Sequence, residues 1–210
     1  PNYQYQGGTS QAGPQVSGNI AGKLAPSAYV YAMIPEVYSA QKQYWQELLA
    51  RTNPYTNLSY ADDPAIVFVE ITNENGILKT WNYNQLDFSG FPVSDNAFNS
   101  EWNAWLLQKY SSREALSNAW FDTLLTGLEA GEDPNAGTVK RNPIKPSTAK
   151  NYSTARKKDL FEFYSQLSGN YFSSVENFLK SNLRVKVPVL YNAQNPSEGV
   201  YDLLSQSSTQ

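Results

Sequence analysis

Neither histidine nor cysteine occurs anywhere in these 210 residues. The missing histidine removes Ser-His-Asp and Cys-His catalysis together with the commonest metal ligand. The missing cysteine removes disulfides, thiolate nucleophiles and structural zinc sites. Acid and base work near neutral pH therefore falls to carboxylates, tyrosine or lysine, and neither a cofactor nor a metal is expected. Charge is sparse too: charged residues make up 17% and the net charge is −3, which gives no field to draw in nucleic acid or anionic lipid. The apolar run of ~18 residues that a membrane-spanning helix needs is also absent, so no membrane partner is expected. The chain opens at Pro1, neither an initiator methionine nor a signal peptide, which implies a cut, processed or engineered start.

Aromatic residues, by contrast, are abundant: 15 Tyr, 5 Trp and 9 Phe. Flat rings with a polar handle suit sugars and other amphipathic ligands, although core packing accounts for most aromatics in any domain of this size. Residues 1–26 are rich in Gln, Gly, Ser and Pro and read as a loop, either an aromatic lining of a cleft or a disordered end. Val37, Tyr38, Ala40, Tyr44, Trp45, Leu48 and Leu49 recur at helical spacing over residues 35–51. Further helices are predicted from about Asp95 to Tyr110, after a capping box at Ser111-Ser112-Arg113-Glu114, and over residues 154–182. Residues 126–153 read as a long loop, as does the connection after Gly76 that holds Trp81 and Tyr83. The basic residues Lys140, Arg141, Lys145, Lys150, Arg156, Lys157 and Lys158 read as a solvated surface.

The most informative stretch is Asp62-Asp63-Pro64-Ala65-Ile66-Val67-Phe68-Val69-Glu70-Ile71-Thr72-Asn73-Glu74-Asn75-Gly76. Its nearly unbroken apolar run predicts a strand over residues 65–72, buried on both faces as in parallel sheets. Asp62 and Asp63 read as shaping the turn at Pro64. A second strand is predicted at 185–191, ending in Asn192-Ala193-Gln194-Asn195, with a possible third near Ala28 to Met33. Strand, helices and strand in succession indicate α/β topology with a parallel sheet. Polar groups at the C-terminal ends of such strands sit where α/β enzymes build their sites, which singles out Glu74. Alternation places Phe68, Glu70, Thr72 and Glu74 on one face. Glu70 lies about 13 Å from Glu74 at strand rise, too far for the two carboxyls of a retaining glycosidase at about 5–5.5 Å. Glu70 reads instead as a buried carboxylate bonded inside the core. For Glu74 the competing reading is a polar strand end that caps the following helix.

Glu70-Ile71-Thr72-Asn73-Glu74 resembles the Glu-Ile-x-Asn-Glu signature of the clan of retaining glycoside hydrolases built on (β/α)8 TIM barrels. Its flanks, from Gln46-Glu47-Leu48-Leu49 through Asn53-Pro54-Tyr55-Thr56 to Asp62-Asp63-Pro64-Ala65, resemble cellulase-like and β-galactosidase-like members. The similarity runs from about residue 35 to about residue 195. It implies a central portion of a barrel, about strands three to five, so that residues 1–210 would be a partial catalytic domain. It implies a carbohydrate substrate, Glu74 as general acid/base, and Asn73 as the amide that holds the sugar 2-hydroxyl. Asn75 stands where the clan commonly has proline and offers a further sugar contact; Trp81, Tyr83 and Asn192 complete the expected substrate-binding set. The nucleophile would be a glutamate outside this chain, with Glu198 the one later residue able to mimic it. A secreted or periplasmic setting fits such an enzyme. A piece of barrel leaves strand edges and apolar faces open, so association with the rest of a parent chain or with itself is expected. The alternative is a non-catalytic carbohydrate-binding or interaction domain.

Overall fold

Two apolar clusters joined through one long helix hold the chain together. The computed structural model describes residues 2–3, 11–12, 34–73, 76–82, 86, 91–141 and 151–193. A short antiparallel pair, β1 (Asn2–Tyr3) and β2 (Gln11–Ala12), comes first. Helix α1 (Pro35–Leu49) starts at a proline, which has no amide hydrogen to lose in a first turn and a φ already set for the helix. It buries Val37, Ala40, Trp45 and Leu49. The turn that follows is organised by Asp63, whose buried carboxylate accepts from Asn53 Nδ2 at 3.0 Å, Thr56 Oγ1 at 3.2 Å and the Ala65 amide at 3.0 Å. Asp62 takes the Ser59 hydroxyl at 2.8 Å and Lys186 Nζ at 2.6 Å. Both aspartates therefore shape the turn, as their neighbourhood to Pro64 suggests.

Strand β3 (Val69–Asn73) is shorter than its apolar run, and the expected burial on both faces does not hold. Val67 is 73% exposed and Phe68 51%, so pairing begins only at Val69. The chain then forms α2 (Ile77–Asn82), α3 (Pro92–Tyr110) and α4 (Arg113–Trp120). Ser111 closes α3 in the left-handed region at φ 65°, and Ser112 caps α4 by accepting from the Ala115 amide at 3.1 Å. The cap is one residue later than the sequence suggests because Ser111 is already spent on ending the preceding helix.

A short 3-10 turn at Pro134–Ala136 interrupts the next connection, and α5 (Thr154–Asn177) follows, about 36 Å long at helical rise. Its last turn widens into a π-helical segment, Phe178–Asn182, which leads into β4 (Val189–Ala193). β4 pairs in parallel with β3, with Val69 opposite Val189, Glu70 opposite Leu190, Thr72 opposite Asn192 and Asn73 opposite Ala193.

The N-terminal half of α5 packs Leu160, Phe163 and Tyr164 against α2, α3 and α4 in the first cluster. Within it Trp102 stacks on Trp105 at 5.6 Å and on Trp120 at 6.1 Å. The C-terminal half packs Tyr171, Phe172 and Val175 with α1 and one face of the sheet in the second. That face carries Val69, Ile71, Val189 and Tyr191. Alternation puts Phe68, Glu70, Thr72 and Leu190 on the other face, where Leu190 is 44% exposed.

The expected TIM barrel, whole or in part, is corrected by this arrangement. A barrel sheet needs a strand after each helix and closes on itself. Here α2, α3, α4 and α5 all intervene between β3 and β4, and the first three pack on α5 rather than on a sheet. The architecture is mixed α/β with a two-stranded parallel sheet among the described residues. The segment near Ala28 to Met33 lies outside the described residues.

The basic stretch also departs from expectation. Arg141 and Arg156 are buried, not solvated. The Arg156 guanidinium grips both oxygens of buried Glu132 at 2.7 Å, donates to the Gly127 and Lys140 carbonyls at 2.8 and 2.7 Å, and lies between the rings of Trp120 and Tyr152. Arg141 donates to the Leu86 carbonyl at 2.5 Å and pairs with Asp95. Lys145 and Lys150 lie outside the described residues. On α5, Asp159 collects Lys109 Nζ at 2.9 Å, the Tyr110 hydroxyl at 2.6 Å and Trp120 Nε1 at 2.7 Å, tying three helices together.

Gly127 sits where that network meets α4. A Cβ there would stand 2.4 Å from the Trp120 carbonyl oxygen, a backbone atom that cannot swing away. Gly127→Ala is therefore expected to cost about 1–3 kcal/mol, read from the denaturant midpoint. A change within error would mean that the loop moves aside freely.

Candidate functional site

The site suggested by sequence is the C-terminal end of the parallel pair. Its strand forms locally because Val69, Ile71 and Thr72 are β-branched and fit a pleated, half-buried surface. The register brings Asn73 opposite Ala193 and Thr72 opposite Asn192. Asn73 is exposed at the last position of β3. Asn192 is placed by its backbone in β4, next to the end of β3. Glu74, Asn75, Tyr83 and Glu198 lie outside the described residues. Glu70, expected to be buried in the core, is half-buried on the face away from α1 and α5.

Trp81 is not on a cleft wall. It is 4% exposed, with its ring 5.3 Å from Tyr164 and 6.5 Å from Phe161, so no sugar can stack on it in this conformation. The spacing Ile77, Leu78, Trp81 explains this: all three fall on one helical face and enter the first cluster.

Two features at the strand end have no counterpart in the sequence pattern. Thr72 Oγ1 donates across the sheet to the Tyr191 carbonyl at 3.3 Å. Tyr191 in turn lies flat against Phe172, centroids 5.2 Å apart and planes at 2°, and donates its hydroxyl to Glu176 at 2.5 Å. Burial, then the bond to Glu176, pushes the Tyr191 phenol up to about 12. Burial and the bond to Glu129 do the same for Tyr152, also to about 12. Both are raised above their ordinary value near 10, so the stability they contribute is complete below pH ~10 and is lost as pH rises through about 12. Denaturant midpoints should therefore hold level to pH ~10 and fall above it, with Tyr191→Phe blunting the fall. A midpoint that stays level through pH ~12 would contradict the two phenol bonds.

Among the described residues no group of three or more His, Cys, Asp or Glu is placed to hold a metal. Nor is any described helix long and apolar enough to cross a membrane. Comparison of the chain with protein-family models, with curated proteins and with solved structures found no match.

Proposed function

We propose that this chain carries the general acid/base of a retaining glycoside hydrolase acting on β-linked poly- or oligosaccharides. The supporting observation is the ending of β3 at Asn73 beside β4, so that position 74 follows the C-terminal end of a parallel strand, where α/β enzymes gather their reacting groups. Glu74 protonates the glycosidic oxygen as the bond breaks, then takes a proton from the water that releases the second sugar. Asn73 and Asn75 supply amides to the sugar hydroxyls. A contact to the 2-hydroxyl strengthens as the ring approaches the oxocarbenium-like transition state. The attacking carboxylate comes from outside residues 1–210. The proposal needs no closed barrel, only the strand end and a second carboxyl about 5–5.5 Å away.

A second reading is a non-catalytic carbohydrate-binding or interaction domain, favoured by the half-buried position of Glu70 within β3, away from the strand end. The two readings separate on one panel of aryl β-glycosides and β-glucans, offered to the intact gene product and to Glu74→Gln. Turnover by the parent and its loss in the variant supports the hydrolase. Sugar binding that survives Glu74→Gln, with no turnover by either protein, supports the binding domain.

A further inference from the structure

We infer that Trp105, Trp102 and Trp120 form a relay that carries a one-electron oxidation from the protein surface to Tyr110, with Asp159 as the proton acceptor. The inference is independent of the glycosidase reading. Four of the five tryptophans, Trp45, Trp81, Trp102 and Trp120, are buried. Trp105 on α3 is half-buried, so it is the indole that an oxidant in solution meets. Its ring lies on Trp102 with centroids 5.6 Å apart and planes at 14°. Trp102 lies on Trp120 at 6.1 Å and 20°. Electron tunnelling weakens steeply with every added gap, so three stacked indoles give a short path into the core. Trp120 Nε1 and the Tyr110 hydroxyl donate to the same Asp159 oxygen, at 2.7 and 2.6 Å, so the two atoms lie no farther apart than those bonds laid end to end.

Charges and hydrogen bonds set the direction. Trp102 Nε1 has no acceptor among the described residues, and Trp105 Nε1 meets the neutral Gln166 amide at 2.7 Å. Oxidised, either indole keeps its proton and its positive charge. Lys109 Nζ lies 4.7 Å from the centre of the Trp105 ring and the Arg156 guanidinium 4.9 Å from that of Trp120, so a positive hole is disfavoured on both. Tyr110 differs. Burial, then the bond to Asp159, holds its phenol well above the ordinary range, so it gives up its proton only as its electron leaves. The product is a neutral radical, which Lys109 does not repel. Tyr164 has no acceptor for its hydroxyl among the described residues, and Tyr152 stands a layer farther from Trp120, beyond Arg156.

The balance is simple. An oxidising radical takes one electron from Trp105. Electrons then pass from Trp102 to Trp105, from Trp120 to Trp102 and from Tyr110 to Trp120, while the Tyr110 O–H bond breaks and its proton moves to Asp159 Oδ2. The sum is a reduced oxidant, a tyrosyl radical and a protonated Asp159. A small reductant of the thiol or ascorbate class returns the electron and Asp159 the proton, which leaves the core indoles unmodified.

The test is pulse radiolysis of the full chain with the azidyl radical, which oxidises indole faster than phenol at neutral pH. The indolyl absorption should decay as the tyrosyl absorption grows, at one first-order rate that does not change with protein concentration. Tyr110→Phe keeps the ring and should abolish that growth, leaving a long-lived indolyl radical, whereas Tyr152→Phe should leave the growth unchanged. Trp102→Phe should form the indolyl radical at Trp105 as before but lose the tyrosyl growth. Trp105→Phe, at a half-buried position that tolerates change, should lose most of the initial indolyl yield and serves also if Trp102→Phe disturbs the fold. No intramolecular growth in the parent overturns the relay. Growth that persists in Tyr110→Phe overturns the terminus, and growth at the parent rate in Trp102→Phe, or an undiminished indolyl yield in Trp105→Phe, overturns the path.

Discussion

Arg156→Ala is expected to lose about 3–5 kcal/mol of folding stability, the usual result of stripping one partner from a buried ion pair. Arg156 and Glu132 are both almost wholly excluded from solvent. Alanine leaves the Glu132 carboxylate with the Glu129 and Lys140 amides, at 2.8 Å each, but no cation. It also abandons the Gly127 and Lys140 carbonyls and opens a gap between Trp120 and Tyr152. For a chain of this size the loss corresponds to a fall of roughly 6–20 °C in melting temperature. Arg156→Met combined with Glu132→Leu should recover only part of it: apolar groups of similar volume remove the stranded charge, but the Gly127 and Lys140 carbonyls and the Glu129 and Lys140 amides stay unmatched. A loss below about 1 kcal/mol in Arg156→Ala would place the pair in the class of surface bridges and contradict its burial.

Glu74→Gln is expected to lower kcat/KM about 10²- to 10⁴-fold on unactivated β-linked substrates, the span usual for a positioned general acid or base. The size of the loss should depend on the leaving group. A poor alcohol leaving group needs its proton in the first step, so removing Glu74 slows that step most. A good phenol leaving group departs unaided, and the residual defect moves to the second step, where water lacks its base. Equal losses across leaving groups would indicate that Glu74 shapes the strand end without transferring a proton.

Periodic helices were the most legible part of the fold. Val37, Trp45 and Leu49, or Leu160, Tyr164 and Val175, mark faces that the structure buries. Arg156, expected on a solvated surface, carries a sequence signal against that expectation. It precedes Leu160 by four residues and Tyr164 by eight, so it shares their face, and a charge on such a face implies a buried partner rather than a solvated one. Arg141 carries no such signal, because its partners Leu86 and Asp95 are remote in sequence. The two strands were visible as apolar runs, but not their extent: composition does not distinguish Ile71, which α1 and α5 cover, from Val67, which nothing described covers. The barrel expectation came from the resemblance of Glu70 to Glu74 and its flanks, which speaks to one strand end and not to how many strands surround it. Trp81 misled because its spacing from Ile77 and Leu78 went uncounted, although that spacing sends the ring into the core. The Thr72 to Tyr191 bond joins residues 119 apart in sequence and could only come from coordinates.

The proposed proton donor is tested most directly by chemical rescue. Glu74→Ala in the intact gene product is offered an aryl β-glycoside with a good leaving group, with and without azide. If the carboxyl of Glu74 deprotonates water in the second step, azide needs no such help, so turnover should rise with azide and β-glycosyl azide should accumulate. A parent enzyme that turns over, paired with a variant that azide neither accelerates nor diverts to glycosyl azide, would show that the proton moves through some other group.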